Sequence, residues 1–150
     1  DTTYYFEVST MNKLIHLHTS KNDDEPFAYD MQLNTKDGKF TLTDDEDNFI
    51  FMDSKEKILH LRNSLDSYLK IDKKVITLRS DEEIILDTNK ITFKGKSSIE
   101  SYTNTFKVET SAYTLSSSSY QVSTPNAVFS SNVTLSGTIS AGGYRGGHHG

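Results

Sequence analysis

Phe106-Lys107-Val108-Glu109-Thr110-Ser111-Ala112-Tyr113-Thr114-Leu115-Ser116-Ser117-Ser118-Ser119-Tyr120-Gln121-Val122 carries three apolar pairs, Phe106/Val108, Tyr113/Leu115 and Tyr120/Val122, spaced by seven residues. Within each pair the apolar residues stand two apart, which is the strand period. A coiled coil with the same seven-residue repeat needs apolar residues three and four apart, with helix formers between them. Here the intervening residues are mostly Ser and Thr and the paired residues are largely aromatic or β-branched, so the stretch reads as short strands.

The pattern extends in both directions. Upstream stand Leu69/Ile71, Ile76/Leu78, Ile84/Leu86, Ile91/Phe93 and the degraded Ile99/Ser101; downstream follow Ala127/Phe129 and Val133/Leu135. Each rung predicts a strand of four or five residues with two inward side chains, followed by a tight turn. A single-chain β-solenoid needs roughly 18 or more residues per coil, so seven cannot close one. An isolated meander would leave an apolar face bare. Three chains wound about one axis solve both problems. The predicted fold is therefore all-β, an intertwined homotrimeric triple-stranded β-helix with a looser N-terminal β collar and a tapered C-terminal tip.

Composition agrees with a core shared between chains. Of 150 residues, 34% are hydrophobic, against 45–50% or so in ordinary globular domains. The 16 aromatic residues (8 Tyr and 8 Phe) are too many for plain disorder. The net charge of −5 offers no footprint for nucleic acid. Without cysteine there is no disulfide framework or thiolate chemistry. From Thr110 to Tyr144 no Asp, Glu, Lys, Arg or His occurs.

Three regions follow. Residues 1–68 form the collar, a β-prism or sandwich with strands predicted at Tyr4–Ser9, Lys13–Thr19, Phe27–Leu33, Lys39–Thr43, Phe49–Met52 and Lys57–Arg62. Residues 69–139 form the shaft. Residues 140–150 form the tip, where five of the eight glycines fall in the last nine positions and permit strands to converge.

Histidines are the candidate metal ligands, since imidazole suits Fe²⁺ and Ni²⁺. His148 and His149 at the tip come first; three chains would bring six imidazoles around one axis, holding a structural ion, with iron expected. His16 and His18, which share one strand face, come second. With Ile15 and Leu17 turned to the core, these two are expected to point outward as exposed strand histidines. His60 is expected at the surface without a partner. Asp44–Asn48 lacks the central glycine of a calcium loop and reads as a solvated turn. No phosphate loop or nucleophile–base pair is present, and residues 110–144 supply no acid or base, so no catalysis is expected.

The short-period ladder, the run Asn132-Val133-Thr134-Leu135-Ser136-Gly137-Thr138-Ile139-Ser140-Ala141-Gly142-Gly143 and the histidine-bearing end resemble the central spikes of contractile-tail bacteriophages. Baseplate assembly protein V and the spikes of R-type pyocins and VgrG-type secretion systems are similar. The resemblance covers about residues 60–150. It implies a homotrimer beneath the baseplate, following an oligonucleotide/oligosaccharide-binding-like domain and contacting baseplate and tail-tube proteins. On sheath contraction it would be driven through the host outer membrane. Its location would be the virion, at the distal end of the tail, with no nucleic acid or small-molecule substrate. Several members hold one buried iron through an H-x-H near the C-terminus. This sequence departs from that: its terminal histidines are adjacent, and its H-x-H lies at residues 16–18. The main rival is a trimeric receptor-binding fibre or adhesin, which should end in a broad contact head. A glycan-degrading β-helix is a second rival and would need acidic grooves along the shaft.

Overall fold

Alternation of apolar and polar residues, broken by turn residues, yields eight β-strands in the computed structural model, which describes residues 3–130, 132–134 and 136–137. They are β1 (Tyr4–Ser9), β2 (Leu14–Thr19), β3 (Tyr29–Asn34), β4 (Lys39–Asp44), β5 (Phe49–Asp53), β6 (Ile58–Arg62), β7 (Tyr68–Asp72) and β8 (Val75–Arg79). No helix occurs among the described residues. The chain is all-β, as expected. Each strand pairs antiparallel with its sequence neighbour, giving one open eight-stranded sheet in the order β1 to β8.

Six of the seven connections are tight, and each uses one residue in the left-handed region: Lys13, Gly38, Asp47, Lys57, Asp66 and Lys73. Side chains finish several turns. Asp44 Oδ1 accepts from the backbone N–H groups of Glu46 and Asn48, at 3.0 and 2.9 Å. Asp53 Oδ1 accepts from Glu56 N at 2.8 Å. The acidic run at 44–48 is thus a turn, as the sequence suggests. The β2–β3 connection is the exception, spanning residues 20–28, where Asn22 Oδ1 accepts from the N–H groups of Asp24 and Glu25.

The register sorts the strand residues onto two unlike faces. One row across all eight strands reads Phe6, Leu17, Met31, Leu42, Ile50, Leu61, Leu69 and Leu78. The row beside it reads Val8, Ile15, Leu33, Phe40, Met52, Leu59, Ile71 and Ile76. Every position of both rows is apolar. The rows of the opposite face carry Tyr5, His18, Asp30 and Thr43, and Glu7, His16, Gln32 and Thr41, over the first four strands. The apolar face stays uncovered within the sheet's own unit: no hydrophobic side chain is buried among the described residues, and Asp53 alone of them falls in the buried class.

Two features differ from the sequence-based expectation. The collar is neither a sandwich nor a prism within one chain; residues 4–79 make a single layer. The rungs Leu69/Ile71 and Ile76/Leu78 belong to that layer as β7 and β8. The ladder begins at Phe6/Val8, in the first strand, and the longer turns of this region widen its period from seven residues to nine or ten, and to sixteen across the β2–β3 connection. Past β8, Ile84 and Leu86 line one groove with Leu61, Leu69 and Leu78 and with Tyr68 and Arg79 of the opposite face.

The chain divides into two units, Asp1–Lys94 and Gly95–Gly150. Among the described residues of the second unit no strand forms, unlike the strands expected at its rungs, and every one of those residues is exposed. Its regular feature is a hydroxyl turn. Thr103, Thr110, Ser117 and Thr124 each donate from the side chain to the carbonyl oxygen two residues on, and each accepts from that residue's N–H. These four positions recur every seven residues and stand between the apolar pairs. The repeat read from Phe106 onward therefore has a physical turn at its own period.

Candidate functional site

Polar residues that converge on one point are found on the polar face, over β2 and β3. The pairing sets His16 opposite Gln32 and His18 opposite Asp30. With Ile15 and Leu17 on the apolar face, alternation puts both histidines on the other side together, as the sequence predicts. They are not freely exposed, however. His16 Nε2 lies 2.6 Å from Asp30 Oδ2, and His18 Nδ1 lies 3.3 Å from the same oxygen. The other carboxylate oxygen, Oδ1, accepts from Gln32 Nε2 at 2.9 Å. One carboxylate is thus shared by two imidazoles and aimed by an amide.

Burial on its own pushes the Asp30 carboxyl up, but the hydrogen bonds with His16, Gln32 and His18 outweigh it. The net displacement is downward, so Asp30 is held as an anion between the two rings. Tyr5 flanks the cluster from β1, its ring edge-on to His16 with centroids 5.5 Å apart. The Tyr5 hydroxyl donates to Glu7 at 2.6 Å. One donor atom each from His16, His18 and Asp30 lies within 4.8 Å of the other two. That set, two nitrogens and one oxygen, suits a divalent transition metal.

Of the residues expected to bind metal, the structure brings together the second-choice pair, His16 and His18. His148 and His149, the tip candidates, lie outside the described residues. Asp30 escaped the sequence reading. Its signal is faint but present: Met31 and Leu33 face the apolar side, which turns Asp30 and Gln32 to the side of His16 and His18.

His60 also departs from expectation. It is half-buried, with Phe49 and Tyr68 edge-on at centroid distances of 4.8 and 5.3 Å. Its Nε2 has no hydrogen-bond partner among the described residues. Farther along the polar face, Arg62 stands over the Phe49 ring at 5.8 Å and Arg79 over the Tyr68 ring at 5.9 Å. Asp66 pairs with both guanidinium groups, at 3.0 and 3.2 Å.

No protein-family model matches the sequence, and no curated protein matches it. The residues alone carry the functional argument.

Proposed function

We propose that this chain is a non-catalytic structural protein that assembles as a homotrimeric β-rod, and that the rod serves as the membrane-piercing spike of a contractile phage-type tail. The observation that carries the first step is the sheet's apolar face: two unbroken rows of eight apolar residues, with no hydrophobic side chain buried among the described residues. Exposures of 66% at Phe6, 53% at Leu61 and 71% at Ile76 are those of a core cut open. Patches of this extent on soluble proteins mark interfaces. Three copies facing inward would bury the rows about a common axis, with the polar face outward.

The second unit supports the same reading from its backbone. Beyond Arg79 no described residue makes a backbone–backbone hydrogen bond. Strand-forming residues with unpaired peptide groups need partners when they leave water. Neighbouring chains supply them in an intertwined β-helix, and the repeating hydroxyl turns at 103, 110, 117 and 124 set the corner of each rung.

The second step rests on charge. The charge-free stretch from Thr110 to Tyr144 removes the groups that are costly to bring into lipid, and a closed three-chain rod would satisfy its own backbone there. A receptor-binding fibre remains the rival reading, and the chain's location in the particle separates the two.

Analytical ultracentrifugation tests the trimer: the reading requires three times the 16.9 kDa chain mass. A stable monomer overturns it. Gold-labelled antibody against the chain, applied to intact and contracted tails, tests the spike. Label at the distal tip of the tube supports piercing, and label on lateral fibres favours the receptor-binding alternative.

A further inference from the structure

We infer that His16, His18 and Asp30 form a binding site for a divalent transition-metal ion of the zinc type, which staples β2 to β3. The inference rests on the polar face of a single sheet and does not depend on the trimeric reading.

Three observations converge. The donor set is two imidazoles and a carboxylate, with one atom of each within 4.8 Å of the rest. The separation of 3.3 Å between His18 Nδ1 and Asp30 Oδ2 already matches the spacing of about 3.4 Å between ligands of a tetrahedral zinc ion. The contact of 2.6 Å between His16 Nε2 and Asp30 Oδ2 is a hydrogen bond, and the ion takes the place of the shared proton. Second, the carboxylate is positioned from behind. Gln32 holds Oδ1 and leaves Oδ2 directed at the two rings, which is how ligating carboxylates are oriented in metal sites. Third, the site sits beside the longest of the sheet's seven connections. The β2–β3 connection runs through nine residues, 20–28, and none of the left-handed turn residues falls within it. A cross-strand ion adds to the hydrogen bond from Tyr29 N to Thr19 Oγ1, at 2.9 Å, in fixing the two strands at the mouth of that connection.

Three protein ligands leave a fourth position to water. Imidazole donors select against magnesium and calcium, which prefer all-oxygen shells.

Calorimetric titration of the full chain tests the inference. His148→Ala/His149→Ala is the background, so that the terminal histidines contribute nothing. Zn²⁺ is the probe and Mg²⁺ the control. The expected result is one Zn²⁺ per chain, no Mg²⁺ signal, and an intense visible absorption band when Co²⁺ replaces Zn²⁺. Asp30→Ala abolishes stoichiometric binding, and Gln32→Leu weakens it by about tenfold while leaving the circular dichroism spectrum unchanged. The Co²⁺ spectrum of the unsubstituted cluster decides the matter even if Asp30→Ala fails to fold. Absence of stoichiometric Zn²⁺ in the background protein, or unchanged affinity in folded Asp30→Ala, overturns the site and reduces the cluster to an ion pair. Neither result bears on the mass of the assembly.

Discussion

The imidazole of His60 meets the ring of Phe49 edge-on, at 4.8 Å between centroids and an interplanar angle of 89°. Tyr68 closes the other side, and the cationic groups of Lys70 and Arg62 stand nearby. Burial, then Lys70 and Arg62, push the His60 pKa below its ordinary 6.5, and Asp66 opposes them only in part. The unfolded chain therefore binds this proton more readily than the folded one. The stability His60 contributes is complete above pH 6.5 and is lost as pH falls toward the depressed folded value. Urea unfolding at pH 8, 7, 6 and 5 should show the midpoint of the unsubstituted protein falling relative to that of His60→Gln. Parallel curves across that range would remove His60 from the pH response.

Leu61 is half exposed in the single chain, yet it stands inside an unbroken apolar row. Covering such a side chain contributes about 1.5–3 kcal/mol per copy, and a charge in its place adds a desolvation cost. If three copies bury this face as proposed, Leu61→Glu converts the proposed trimer into lower-mass species in sedimentation velocity. Thr77→Glu, on the polar face of β8, should leave the mass unchanged. Equal behaviour of the two variants would mean that the apolar face is not the interface.

Gly38 and Lys57 hold the same left-handed backbone, with φ of +68° and +60°, in the β3–β4 and β5–β6 turns. A Cβ added at Gly38 meets Ser54 Cβ at an ordinary 3.4 Å, so the cost of Gly38→Ala is conformational rather than steric. It should lower stability by about 1 kcal/mol. Lys57→Gly relieves the same strain while loosening the unfolded chain, and should change stability by less than about 0.5 kcal/mol. Denaturant midpoints of the two variants check the asymmetry.

Thr110 makes two hydrogen bonds to Ala112, one in each direction. Thr110→Val keeps the shape and removes both, at a cost of about 1 kcal/mol per chain, whereas Thr110→Ser should be near neutral. Matching thermal midpoints for Val and Ser would show that the seven-residue hydroxyl turn carries no stability.

Much of the sheet was legible because strand alternation is a local property. Tyr4–Ser9 matches the expected span, and the other five expected N-terminal strands begin or end within two residues of the observed ones. The pairs Phe6/Val8, Ile15/Leu17, Met31/Leu33, Phe40/Leu42, Ile50/Met52 and Leu59/Leu61 continue the ladder upstream of Leu69. They escape a search for a seven-residue period because longer turns separate them. The turn hydroxyls at 103, 110, 117 and 124 were equally visible in the sequence, and only their hydrogen bonds reveal what they do.

By itself the sequence determined that the chain is all-β and which side chains share a face, since residues two apart on an extended backbone point the same way whatever lies beside them. The tertiary structure decided which faces' residues meet. His18 stands opposite Asp30 because the β2–β3 connection closes at one register out of several that its nine residues allow, and a slip of two would have set another residue against His18. Register depends on hydrogen bonds between strands and on the path of the loop, neither of which is written in the spacing of residues along one strand.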